Sequence, residues 1–129
     1  MNRRTCLTSL AAATLAPMLR AADAAHPIQI QLDMSVDPAK EQEMLRLFEK
    51  NFKPAAMKFQ GYMDVKIIKL RKAVSGKAPA GINYRFVLRY QSEELRQKWI
   101  AADIHQKVWG EIEATLLTKK YDVLLFDEQ

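Results

Sequence analysis

The order of hydrophobic patterns predicts an α+β fold of the ferredoxin-like kind, β-α-β-β-α-β, with a four-stranded antiparallel sheet covered on one face by helices. Two alternating stretches and the caps that follow them predict it. Ile28, Ile30, Leu32, Met34 and Val36 alternate with Gln29, Gln31, Asp33 and Ser35, a period of two that belongs to a half-buried strand. Ile82, Tyr84, Phe86, Leu88 and Tyr90 alternate in the same way with Asn83, Arg85 and Arg89, interrupted only by Val87. Each stretch runs into a helix start: Asp37 caps and Pro38 takes the first helical position after one, and Ser92 caps with Glu93 and Glu94 in the first turn after the other.

The remaining elements follow in order. After Pro38, the apolar residues Met44, Leu45, Phe48 and Phe52 recur at three- and four-residue spacing, with Lys40, Glu43, Lys50 and Lys53 largely on the other side. Pro54 is expected to break this helix near Lys53, with a short continuation that ends at Gly61. Residues 62–72 then read as a strand whose apolar positions shift from Met63, Val65 and Ile67 to Ile68 and Leu70. One inserted residue turns later side chains over, so a β-bulge is expected near Ile67 and Ile68. Residues 73–81, with Ser75, Gly76, Pro79 and Gly81, are an exposed hairpin loop. Past Ser92 a helix pair is expected, its second member carrying an apolar stripe of Ile104, Val108 and Ile112 that Leu116 extends. Residues 121–126 are apolar on both faces and predict a buried final strand. The uncovered sheet face calls for a partner, and the simplest one is a second copy of the chain.

Residues 1–25 read as a leader rather than as part of this domain, which occupies residues 26–129. Arg3 and Arg4 precede a mildly apolar run that ends in small residues at Ala22, Ala24 and Ala25. The run is too short to span a bilayer, and Pro17 interrupts it. The paired arginines resemble a twin-arginine export signal, so the mature chain is expected to be periplasmic or secreted. Ordinary Sec export and an unstructured start of a cytoplasmic protein are the alternatives. Cys6, the sole cysteine, falls in this leader. The mature chain then has no thiol for a disulfide, a metal site or a nucleophile. Without the leader the formal charge falls from +5 to about +3, and the lysines are spread rather than clustered. A nucleic-acid partner calls for a denser basic stripe. The apolar residues lie in stripes that the sheet buries, so no stable membrane insertion is expected.

The run Asp37-Pro38-Ala39-Lys40-Glu41, then Phe52-Lys53-Pro54-Ala55 leading to Gln60-Gly61-Tyr62, resembles the first half of antibiotic biosynthesis monooxygenase-like (ABM) domains. Tyr90-Gln91-Ser92-Glu93-Glu94-Leu95, Trp99 and Asp103-Ile104-His105 resemble their second half, and the likeness spans residues 28–127. It rests on landmarks in the right order rather than on one diagnostic signature. The resemblance implies a homodimeric α/β barrel with a pocket between the sheet and helices of each subunit. Some members oxidise phenolic, quinol or polyketide substrates with dioxygen and no metal or flavin; others bind or degrade haem, and many have no assigned activity. The expected activity is therefore a cofactor-independent monooxygenase acting on a phenolic, quinol or polycyclic aromatic ligand, with no metal. A non-catalytic ligand-binding or stress-related domain of the same fold is the alternative.

His105 matches the histidine of the family's helix after the third strand, and imidazole suits proton movement near neutral pH. It is the candidate general base or hydrogen-bond donor; its other reading is a packed histidine bonded to a backbone carbonyl. Trp99 and Trp109 are candidate walls for a flat ligand, although core packing is the commoner fate of tryptophan. Tyr84 and Tyr90 are candidate polar handles in the same pocket. Asn83, Arg85 and Arg89 point from the other face as dimer-interface or solvent groups, and His26 has no assigned role. Haem degradation in this fold depends on an asparagine of the first strand, where this chain has Gln29 and Gln31, and Trp99 stands closer to His105 than that reading expects.

Overall fold

The computed structural model describes residues 26–129; the expected leader lies outside them. Strand β1 (Ile28–Met34) leads into a 3-10 turn (Pro38–Lys40) and a long helical segment. That segment comprises α1 (Glu41–Leu47), a π-helical turn (Phe48–Phe52) and α2 (Lys53–Met57). Strands β2 (Tyr62–Lys69) and β3 (Tyr84–Tyr90) form a hairpin, followed by α3 (Glu93–Ala101), α4 (Asp103–Glu113) and β4 (Val123–Asp127). The strands lie in the order β2-β3-β1-β4 and every neighbouring pair is antiparallel, which is the predicted ferredoxin-like sheet.

Local signals account for most boundaries. The Ala39 amide donates to the Asp37 carboxylate at 3.0 Å, and the Leu95 amide donates to the Ser92 hydroxyl at 3.2 Å, so both predicted caps form. Ala102, extended at ψ 142°, separates α3 from α4. The core lies between one sheet face and the helices. Ile28, Ile30, Leu32 and Met34 of β1 meet Tyr84, Phe86, Leu88 and Tyr90 of β3 there, all buried, and Met44, Phe48, Phe52, Trp99, Val108 and Ile112 close it from the helical side.

Pro54 does not break the helix. The Lys53 amide reaches back five residues to the Phe48 carbonyl, and this wider turn moves the preceding carbonyls away from the proline ring. The β2 irregularity lies between Tyr62 and Asp64, not at Ile67 and Ile68. Met63 is the unpaired residue, and from Asp64 onward the pairing with β3 is regular. Val65 and Ile67 therefore face the core, while Ile68 is simply an apolar residue on the open face of an edge strand, 47% exposed. In α4 the inward face is His105, Val108, Trp109 and Ile112, which leaves Ile104 outside at 39% exposure.

Asn83 is tied to the backbone rather than turned to solvent. Its side chain accepts from the Val36 amide at 2.8 Å and donates to the Val36 carbonyl at 2.9 Å, tying the end of β1 to the start of β3. Arg85 and Arg89 do lie on the open face, in two-bond pairs with Asp33 and Glu128. The final strand is not buried: every β4 residue is exposed, because β4 pairs only with β1 at the sheet edge and lies beyond the cover of the helices. Among the described residues no helix is long and apolar enough to cross a membrane.

Gly61 permits the close passage of α3 over the start of β2. Its φ is +95°, and a Cβ there would lie 2.7 Å from Leu95 Cδ1 and 2.8 Å from Leu95 Cβ. Gly61→Ala combines a left-handed backbone with overpacking, so we expect a loss of about 2–4 kcal/mol. Urea unfolding should show this as a lower midpoint at unchanged slope.

Candidate functional site

Two strands, the π turn, α3, α4 and the return into β4 meet around a cavity of about 180 Å³ between the β1/β3 part of the sheet and the α3–α4 corner. Ile30, Leu32, Phe86 and Leu88 form its sheet wall, Phe52 comes from the π turn, and Ile100 from α3. Arg96, Trp99, His105, Trp109 and Tyr121 supply the polar and aromatic groups, and Val123 stands at the β4 side. The α3–α4 break makes the site possible, since the turn at Ala102 brings Trp99 and His105 together with ring centroids 4.8 Å apart and planes at 82°. Phe52 meets both of them edge-on, at 5.7 Å and 6.4 Å.

His105 is partly buried, and its Nδ1 has no hydrogen-bond partner among the described residues. The same holds for Trp99 Nε1, on a side chain with no exposure at all. A buried donor or acceptor without a partner costs on the order of 1–3 kcal/mol, and both nitrogens carry that cost here. Burial holds the His105 pKa below its usual 6.5, and the Arg96 charge lowers it further. The imidazole is therefore neutral at pH 7.

Arg96 lines the cavity with only 13% of its side chain exposed. Its Nε and Nη2 donate to the Glu93 carboxylate at 2.5 Å and 2.8 Å, and Gln97 donates to the same carboxylate. Those bonds hold the Glu93 carboxyl below its ordinary range, the Arg96 bond first among them. Nη1 carries no such bond to Glu93. One turn along α4 from His105, Trp109 Nε1 donates to the Tyr121 hydroxyl at 3.0 Å, and that hydroxyl donates to Glu113 at 2.6 Å. Burial and the Glu113 bond raise the Tyr121 pKa, so the hydroxyl keeps its proton.

Of the residues picked from the sequence, His105, Trp99 and Trp109 come together at this cavity; Tyr84 and Tyr90 do not line it. Tyr84 sits at the far end of β3, where its hydroxyl donates to Glu41, a carboxylate also paired with Lys69 at 2.6 Å. Burial first, and then that bond, pushes Tyr84 up to about 12. Tyr90 packs against Tyr62 with centroids 6.5 Å apart, its hydroxyl buried without a partner and pushed up to about 12 by burial. Alternation placed both tyrosines on the correct face but carries no information about position along the strand. Arg96, Tyr121 and Phe52 were missed. Arg96 was within reach, since Arg96, Trp99 and Ile100 share the three- and four-residue spacing of one helix face.

No protein-family model matches the chain, and no curated protein matches it. Solved structures do. SnoaB, a cofactor-independent oxygenase from Streptomyces nogalater, superposes in a mutant form with a TM-score of 0.63 at 11% identity, over 80% of this chain and 93% of that one. A Caulobacter crescentus CB15 protein described as a candidate antibiotic biosynthesis monooxygenase gives 0.63 at 15% identity, over 81% and 92%. A dimeric ferredoxin-like protein of unknown function from Jannaschia sp. CCS1 gives 0.62 at 12% identity, over 80% and 98%. At such identities the likeness establishes the ferredoxin-like fold, and the fold's neighbours include oxygenases and a dimer.

Because the folded His105 pKa is below 6.5, the unfolded chain binds more protons between the two values, and stability falls as pH drops through that window. The loss should level off once pH is below the folded value. His105→Gln should flatten this part of the profile, and the His105 ring resonances should titrate below pH 6.5 by NMR.

Proposed function

We propose that this chain is an exported, cofactor-independent monooxygenase that oxidises a single-ring phenol or quinol with dioxygen, working as a homodimer. One observation carries the reading: an aromatic-walled cavity is lined by a neutral imidazole and an arginine cation. A ligand hydroxyl would donate to His105, and the electron-rich anion left behind would meet dioxygen where water is scarce. For a hydroquinone the atoms balance without a cofactor. One oxygen atom enters the ring, the ring is left as a hydroxyquinone, and the other oxygen leaves as water.

Magnitudes narrow this reading. A dry cavity of about 150 Å³ takes one benzene ring, so about 180 Å³ suits a single substituted ring rather than the polycyclic substrates the sequence left open. An ordinary phenol titrates near 10 and burial lowers the His105 pKa, so complete proton transfer from phenol to imidazole is uphill. Arg96 lowers the cost by stabilising the anion.

The Glu93 bond to Arg96 favours the second reading, a non-catalytic domain that binds aromatic ligands, because it neutralises much of the cation. Haem fits poorly. The cavity is sized for one ring, and Gln29 and Gln31 lie on the opposite sheet face, where Gln31 donates to Gln29 and Gln29 to Glu128. The homodimer is supported by β4, whose Val123, Leu124, Leu125 and Phe126 are 44–54% exposed at an uncovered edge. Export rests on residues 1–25 alone.

Oxygen uptake by the mature, metal-free chain with single-ring phenols and hydroquinones tests the reaction. His105→Ala should lower the rate by about 100-fold or more, and no uptake above the uncatalysed rate would leave the binding domain. Leu124→Glu with Phe126→Lys should convert a dimer to a monomer in sedimentation velocity, and an unchanged assembly would remove β4 from the interface.

A further inference from the structure

We infer that the Tyr121 hydroxyl, held by Glu113 and Trp109, is a specificity-determining acceptor that demands a second hydrogen-bond donor on the ligand ring. The inference rests on the reading of the cavity as a site for phenols. It concerns the Trp109–Tyr121 pair, one helical turn along α4 from the imidazole, which that reading does not use.

A phenolic hydroxyl has one proton to give and two lone pairs to offer. The Tyr121 proton is committed to Glu113 at 2.6 Å, a charge-assisted bond about twice as strong as a neutral one. One lone pair is taken by the Trp109 indole N–H at 3.0 Å. Only the second lone pair is left, and Tyr121 and Trp109 both line the cavity. Toward a ligand, Tyr121 therefore accepts and does not donate. A ring hydroxyl or amine satisfies it, whereas an ether or carbonyl oxygen placed there meets lone pair with lone pair. Elsewhere the lining has the opposite character, since Arg96 brings its guanidinium to the cavity and its Nη1 carries no bond to Glu93. An oxyanion fits at Arg96 and a neutral O–H fits at Tyr121. Glu113 is a positioning residue, because it fixes the direction of the Tyr121 proton without lining the cavity.

Two probes separate this from general affinity for phenols: hydroquinone and 4-methoxyphenol, which share one hydroxyl and differ in whether the opposite oxygen can donate. Their binding to the full chain is measured by calorimetry under argon, so that no turnover intervenes. Wild type should prefer hydroquinone by about threefold to tenfold, the worth of one net hydrogen bond. Tyr121→Phe should abolish the preference by weakening hydroquinone, with 4-methoxyphenol bound as tightly as in wild type or tighter once the facing lone pair is gone. In Glu113→Ala the freed Tyr121 proton can turn toward the ether oxygen, so the preference should shrink through tighter 4-methoxyphenol binding, an effect that a purely structural role would not produce. Equal binding of both rings by wild type overturns the inference, as does a preference that survives in Tyr121→Phe. A parallel weakening of both rings with their ratio intact assigns Tyr121 to the scaffold and overturns it too. If neither ring binds wild type, the phenol reading itself fails and this inference falls with it.

Discussion

The Phe52 ring is the contact on which the rest of this structure depends. It meets Phe48, Phe86, Trp99, His105 and Trp109, with centroids between 5.3 Å and 6.4 Å. Four of those contacts are edge-to-face, a geometry that adds to what area burial alone supplies. Phe52 thus joins the sheet, the long helical segment and the α3–α4 corner in one cluster. Its position depends on the wide turn at Phe48–Phe52, which sets Phe48 and Phe52 in a stack at 13°. The helical irregularity beside Pro54 and the wall of the cavity are consequently one feature.

A core so rich in rings has few hydrogen-bonding groups to offer, and this gives the cavity its chemistry. Trp99 and His105 bring polar atoms into contact with aromatic faces, which satisfy shape but leave both nitrogens unpaired. Where the protein does satisfy its polar groups, it uses carboxylates from the helices: Glu93 holds Arg96, and Glu113 holds Tyr121. The cavity therefore has groups whose orientation is fixed by the protein and groups whose needs are left open. That combination is expected of a site arranged for a ligand, and it is costly for a filled core.

The fold was legible because its signals are local. Alternation in β1 and β3 needs only neighbouring residues, and the caps at Asp37 and Ser92 act within three residues of themselves. The site was partly legible. His105 stood out as an imidazole in an apolar stripe, and Trp99 and Trp109 lay within one or two turns of it. Tyr84 and Tyr90 show the limit, because facing the core does not locate a residue along the strand, and Tyr84 ends beside Glu41, 43 positions away in sequence. Tyr121 was hidden for a related reason: its role comes from Glu113 and Trp109, which only the return of the chain from α4 to β4 brings to its hydroxyl. The bulge was misplaced because an apolar residue on the open face of an edge strand looks like a change of phase.

The final strand argues from the same pattern at a larger scale. Apolar residues on both faces signal a strand that is covered on both sides, yet β4 lies past the reach of α3 and α4, with its core-side residues Val123 and Leu125 at 50% and 48% exposure. The pattern in the sequence therefore describes an environment that one copy of the described domain does not provide. A second copy placed against β4 and the open face would supply it, and because Val123 stands at the rim of the cavity, the same contact would shield that rim from water. In the homodimer we propose, assembly and a dry site are then consequences of one surface.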